Sequence, residues 1–516
     1  MAPGSSGVGR GPRLILLLVV LLAFGLRIYH LDYQSLWRDE MDAILFARQD
    51  PGQILPLFVK PGHNGPLYYV ALHGWIRLVG DSEFSVRFLS LLCGVLAVPI
   101  MYLVGRRWLG DRPSLIAAVL AATSPYLIWY GQEGKMYAVF LLLSLGSTYV
   151  YVVALERNRL YLWASYVFLV AISLYVHLLS VLILPFQFLL FFVTWPRFRR
   201  AWKAWVLAFA VLTLPYLPLL RWEVVLFMRP FATGHQVYAL HEMLAILLSA
   251  FSLNAAQGQN LLSMALFVFL LLAGLLLTRR SRDAVAQTAR DQPESAGRGR
   301  IILAVYLFVP ILSIFAISLG MPIFTDRYLI TVVPAFLLLL GRGVGALRDR
   351  SAMLGMACLA LVLVSNMYVV ALQAHTAIKS DFRSVARYVD EVGRGDLLVF
   401  LIPQVRPVFE YYYERPFDWA DAPFTNRGME SGDVSAYMEE ITHGHKAVWL
   451  IVSEAELWDS RGLVQEWFRV RGTLLERRSF ARVDAYLYGV GEGARARSLV
   501  DAASSSGSWS GFGGPR

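Results

Sequence analysis

Charge and cysteine are scarce in this sequence. Of 516 residues, 16% are charged, two are cysteine and 57% are hydrophobic, with a mean hydropathy of +0.53. Cys93 and Cys358 each lie inside an apolar run. They provide neither a disulfide framework nor a thiolate metal site, so the compartment has to be read from topology. Repeated apolar runs close to the roughly 20 residues a bilayer crossing needs exclude an ordinary soluble enzyme and imply many helical spans. No glycine-rich phosphate loop stands at a strand-to-helix junction, so nothing argues for a nucleotide site. The net charge of +10 does not point to nucleic acid either. Its basic residues sit in short connections between apolar runs, as in cytoplasmic loops, rather than along one face for a duplex.

The organisation follows from those connections. Residues 1–13 form a small, basic tail expected on the cytoplasmic side. The apolar run after it has no small-x-small cleavage site and exits at Arg27, Tyr29 and His30, so it reads as a retained first span. Further spans are expected at 84–104, 114–129, 138–155, a stretch ending near 175–177, then 178–192, 205–220, 261–277, 301–319, 329–341 and 353–372. That makes about 11 crossings, and it puts every basic cluster, including the polar linker 279–300, on one side. The long first loop, 30–83, falls on the other, with helical periodicity at 39–49 and 67–79. The apolar piece 244–251 is too short to cross, and counting 237–256 as a span would invert all later clusters. It is expected in an outer loop or a re-entrant piece.

Composition changes at 375. From there to 491, helical and strand patterns alternate: DFRSVARYVDEV, DLLVFLI, VRPVFEYYYE, VSAYMEEITH, KAVWLIV, SRGLVQEWFRV, then LLERRSF and DAYLYGV. They predict a small α/β domain outside the membrane. The Ser/Gly-rich tail, 492–516, is expected to be disordered.

Several polar residues reach the outer side at the ends of separate spans. Asp39 and Glu40 follow Trp37 soon after the first span; Lys60 and His63 come later in the same loop. Gln132, Glu133, Lys135 and Tyr137 occupy the second outer turn, His177 the third, and Asp326, Arg327 and Tyr328 a later one. Each alone has a plain structural reading. The carboxylates can be solvated or cap a helix, Lys135 and Arg327 can snorkel, His177 can cap a helix, and the tyrosines can belong to an aromatic belt. Convergence of distant turns on one face favours chemistry instead. A carboxylate there can take a proton from an acceptor, and cations can offset a lipid-anchored phosphate.

The sequence resembles the membrane-embedded GT-C glycosyltransferases that use polyprenyl-phosphate sugars, a group holding protein O-mannosyltransferases and lipid A aminoarabinose transferases. The resemblance rests on SLWRDEMDA at 35–43, HNGPLYYVALHGW at 63–75, SEFSVRFLSLL at 82–92, SPYLIWYGQEGKMYA at 124–138, YVHLLSVL at 175–182, DRYLI at 326–330 and DFRSVARYV at 381–389. It implies a polytopic α-helical membrane protein with a catalytic domain over 14–374 and an extracytoplasmic α/β domain, in the cytoplasmic membrane of a bacterium. Asp39 would match the family's catalytic base and Glu40 its partner near acceptor or phosphate. Arg327 and Tyr328 would match the pair that holds the donor phosphate. Lys135 stands where relatives carry arginine before the tyrosine matched by Tyr137, which keeps the charge and loses the bidentate fork. His63 stands, with Gly65 and Pro66, in a segment where relatives often have lysine, so the phosphate contact rests open between Lys60 and His63.

The implied reaction is inverting transfer from a polyprenyl-phosphate sugar, such as an undecaprenyl-phosphate donor, to an extracytoplasmic glycolipid, envelope glycan or protein. Polyprenyl phosphate leaves well, so no enzyme nucleophile and no acid for the leaving group are needed. No obligatory metal is expected, although some relatives use a divalent ion. The alternative class is a transporter or flippase of lipid-linked sugars, which should show internal repeats or charged groups at the bilayer midplane; the sequence shows neither.

Overall fold

The structure is a computed structural model, and it describes residues 10–57, 64–228, 236–254, 261–278 and 294–490. The chain divides into two compact units: Met1–Leu31 with Ala43–His375, and Asp32–Asp42 with Thr376–Arg516.

The first unit is helical. Among the described residues, seven helices are long and apolar enough to cross a membrane, or up to eight with one bent pair. Four shorter apolar helices, Leu160–Val176, Leu178–Val193, Leu240–Leu253 and Leu261–Leu276, accompany them. The chain is thus a multi-pass membrane protein. The expected 11 crossings comprise the seven, the bent pair and three of these shorter helices.

The third expected span is not one straight rod. Asp111–Thr123 and Pro125–Gly131 meet at a 57° bend. Pro125 disfavours a helical residue before it, and Ser124 instead takes extended geometry and caps the new helix, accepting from the Leu127 amide. Two other spans begin as tight 3-10 turns, Leu178–Leu182 and Asp326–Val332, before relaxing into α-helix. The helix containing 301–319 starts earlier than expected, at Glu294. Seven residues of the anticipated linker are therefore helical, while 279–293 lie outside the described residues. The segment around 244–251 is a 14-residue helix, Leu240–Leu253.

The Val333–Arg348 helix is the centre of this unit, with every residue from Val333 to Leu347 buried. Glycine lets its neighbours approach that closely: a side chain on Gly343 would meet the Leu270 carbonyl, and one on Gly274 the Leu339 carbonyl. Close backbone contact through small residues replaces the missing hydrophobic drive between helices in lipid. The Arg10–Ile28 helix instead leaves Leu14, Leu17, Leu18 and Leu21 exposed, as a lipid-facing helix does.

The second unit is a five-stranded sheet with helices. Its strands are β1 (Leu397–Phe400), β2 (Trp419–Asp421), β3 (Ala447–Ser453), β4 (Thr473–Phe480) and β5 (Val483–Gly489), in the order β2-β1-β3-β5-β4. The first three are parallel, and β5 and β4 add antiparallel. β1 and β3 are buried almost throughout, which explains their continuous apolar runs. β2 has only three residues and had no pattern to reveal it.

Candidate active site

The helical unit gathers several candidate residues in one place. The bend at Ser124 is followed by a turn in which the Lys135 amide donates to the Glu133 carbonyl at 2.8 Å. Lys135 is 8% exposed; its Nζ lies 3.4 Å from the Tyr69 hydroxyl and 5.8 Å from that ring's centre. Two residues on, the ring of Tyr137 has the Arg327 guanidinium 5.5 Å from its centre. Asp326, beside Arg327, accepts from the Tyr130 hydroxyl at 3.2 Å, and its carbonyl accepts from Tyr126 at 3.0 Å. The tight turn that opens at Asp326 is thus fastened to the second outer turn by tyrosines from the far side of the bend.

His177 completes the cluster. It lies in the turn between the Leu160–Val176 helix and the next segment, outside both apolar helices. Its ring stacks on Phe140 at 4.7 Å and lies 5.3 Å from Tyr328 and 6.0 Å from Tyr137. Burial, and then the neighbouring Arg327 cation, push its pKa down to about 3, so the imidazole is neutral. Nδ1 accepts from the Leu179 amide at 3.2 Å, which puts the proton on Nε2 and makes that atom a donor.

The first loop reaches the same turn. Asn64 accepts from the Leu178 amide at 2.8 Å. Next to it, Gly65 has φ +81°, and a side chain there would press on the Met136 side chain and the Val176 carbonyl, at 2.6 and 2.8 Å. Lys60 and His63 themselves lie outside the described residues. Gln132 turns away from this group: its Nε2 donates to the carbonyls of Arg27 and Tyr29, both at 3.0 Å, and so buttresses the end of the first helix. Glu133 is buried at the same turn.

Asp39 and Glu40 belong to the second unit. They occupy the first turn of the Arg38–Arg48 helix, where carboxylates suit the positive end of the helix dipole. Asp39 is half-buried. Glu40 is fully buried, and its carboxylate meets Lys379 Nζ at 3.0 Å. Among the described residues, no three His, Cys, Asp or Glu side chains gather in a group that could hold a metal ion.

Tyr69, Tyr126, Tyr130, Asn64 and Lys379 were missed as site residues. The tyrosines and Asn64 stand in the quoted motifs, yet in a membrane protein such aromatics read equally as interfacial anchors. Nothing local marks Lys379, whose partner is over three hundred positions away.

Residues 62–222 match the family described as dolichyl-phosphate-mannose-protein mannosyltransferase. The solved apo structure of ArnT from Cupriavidus metallidurans matches with a TM-score of 0.56 at 14% identity, covering 92% of this chain and 97% of that one. The chain has the fold of the GT-C glycosyltransferase superfamily. ArnT bound to undecaprenyl phosphate matches this chain with a TM-score of 0.55 at 12% identity, over 93% and 98% of the two chains. The apo oligosaccharyltransferase of Archaeoglobus fulgidus matches at 0.52 and 13%, over 93% of this chain and 74% of that one. No curated protein sequence matches the chain.

Proposed function

We propose that the protein is an inverting glycosyltransferase that takes its sugar from a polyprenyl-phosphate donor and works on the extracytoplasmic side of the membrane. The observation that carries this reading is the cluster of Tyr137, His177 and Arg327 in a GT-C fold, with Lys135 two residues before Tyr137 in the same turn and set against Tyr69. Two cations and an Nε2–H donor supply what a lipid-anchored phosphate needs: charge and hydrogen bonds that strengthen as negative charge grows on the leaving oxygen. The family match to mannosyl transferases and the undecaprenyl phosphate in the ArnT structure agree with such a donor.

In this mechanism Asp39 accepts the proton of an acceptor hydroxyl or amine. The acceptor atom attacks the anomeric carbon, the bond from that carbon to the phosphate oxygen breaks, and polyprenyl phosphate departs with the electron pair. Lys135 and Arg327 neutralise it. The residues assigned suffice without an obligatory metal. The acceptor is a glycolipid, an envelope glycan or a protein. The test is transfer by purified protein in lipid nanodiscs, supplied with synthetic undecaprenyl-phosphate sugars and envelope extract. Release of undecaprenyl phosphate by the wild type, and its loss in a folded Asp39→Asn variant, support the reading. No release with mannosyl, glucosyl or aminoarabinosyl donors overturns it.

A further inference from the structure

Resting on the transfer reaction proposed above, we infer that Lys379 is a positioning residue for Asp39, acting through Glu40, so that the α/β unit is part of the catalytic machinery. The stretch before Asp39 is tied to this unit almost residue by residue. Arg383 donates to the carbonyls of Asp32 and Tyr33 at 2.7 and 3.2 Å. The Gln34 side chain accepts from the amides of Ile378 and Lys379 at 2.9 and 3.2 Å and donates to the Thr376 carbonyl at 2.8 Å. The Leu36 amide donates to the Tyr412 hydroxyl at 2.7 Å. Arg38 pairs with Glu454 at 3.3 Å.

These contacts fix the chain up to the residue before Asp39, and Glu40 fixes it on the other side. A carboxylate 0% exposed, 3.0 Å from an ammonium group that is itself 6% exposed, is held in place by strong and poorly screened attraction. The Lys379 Nζ also lies 5.9 Å from the centre of the Trp37 ring, one turn earlier. Successive side chains on a helix are about 100° apart. Pinning Glu40 inward therefore sets the direction in which Asp39 points. Without Lys379 the buried Glu40 carboxylate loses the cation that offsets its charge, and the first helical turn is held less firmly.

The test uses the full chain in nanodiscs, with undecaprenyl-phosphate mannose as the probe donor. Lys379→Met should lower kcat about 10- to 100-fold, the size expected for a misdirected reacting group, and leave the donor KM within about threefold. Lys379→Arg should restore most of the rate. Hydrogen exchange of the peptide covering 32–42 should quicken in Lys379→Met alone, with the rest of the α/β unit unchanged. An unchanged kcat per folded molecule, or faster exchange throughout the α/β unit, overturns the inference in favour of a purely structural pair. If the wild type transfers no mannose, the functional reading loses that donor, and exchange still decides: unchanged protection of 32–42 overturns the positioning, and a loss confined there upholds it.

Discussion

The two units set their candidate site residues among different neighbours, although ion pairs and cation–ring contacts occur in both. In the helical unit the cations Lys135 and Arg327 lie against the rings of Tyr69 and Tyr137, and the Asp326 carboxylate accepts from Tyr130. In the α/β unit the carboxylates meet cations directly, Glu40 with Lys379 and Glu454 with Arg38. A ring face attracts a cation through its quadrupole and carries no counter-charge of its own. An ion pair neutralises its members and fixes geometry instead. In the mechanism proposed above, anion recognition falls to the cations of the helical unit and orientation of the proton acceptor to the other.

The comparison breaks most sharply at Asp39. Asp39→Asn should lower the transfer rate about 10²- to 10⁴-fold, the span for general-base removal, with donor binding retained; a steady-state assay beside a binding titration checks both. Arg327→Ala should cost about 1.5–3 kcal/mol of transition-state binding, the worth of a charged hydrogen bond, read as a fall in kcat/KM, and Arg327→Lys should lose less. A Gly65→Ala change tests the scaffold. Its positive φ costs about 1–2 kcal/mol for any side chain, and contact with the Val176 carbonyl adds to that. The melting temperature should drop before any change in chemistry. Gln132→Ala removes two hydrogen bonds to the first helix, each worth about 1 kcal/mol, and should lower stability while leaving kcat unchanged.

One further effect is absent at neutral pH and appears only on acidification. His177 has its pKa lowered to about 3 in the fold, against about 6.5 in an unfolded chain. The unfolded state therefore binds the proton first. This residue adds no pH dependence above about 6.5 and destabilises progressively as pH falls from there towards 3. Replacing it by glutamine should flatten that part of the acid-unfolding profile, measured by thermal melts between pH 7 and 4.

Much of this molecule was legible because membrane spans and buried strands declare themselves by composition. The turn YGQEGKMY and the DRY segment stood out as polar breaks in apolar surroundings, and the structure brings them together through Tyr130, Tyr137, Asp326 and Arg327. The break at Ser124–Pro125 had its signal in the sequence, a capping residue before proline, but the run stayed apolar across it and read as one span. β2 was too short to carry a period. The Lys379 partnership with Glu40 was invisible because pairing over such a separation leaves no trace in local pattern. Gln132 looked like its neighbours in the turn, and only the fold shows it facing the first helix.

Donor recognition by the helical unit is best tested by titrating undecaprenyl phosphate against purified protein in nanodiscs and reading bound lipid by native mass spectrometry. The wild type and Asp39→Asn should bind it alike, and Lys135→Ala with Arg327→Ala combined should bind it at least about tenfold more weakly, the worth of one charged hydrogen bond. Equal binding by the doubly substituted protein would contradict the account.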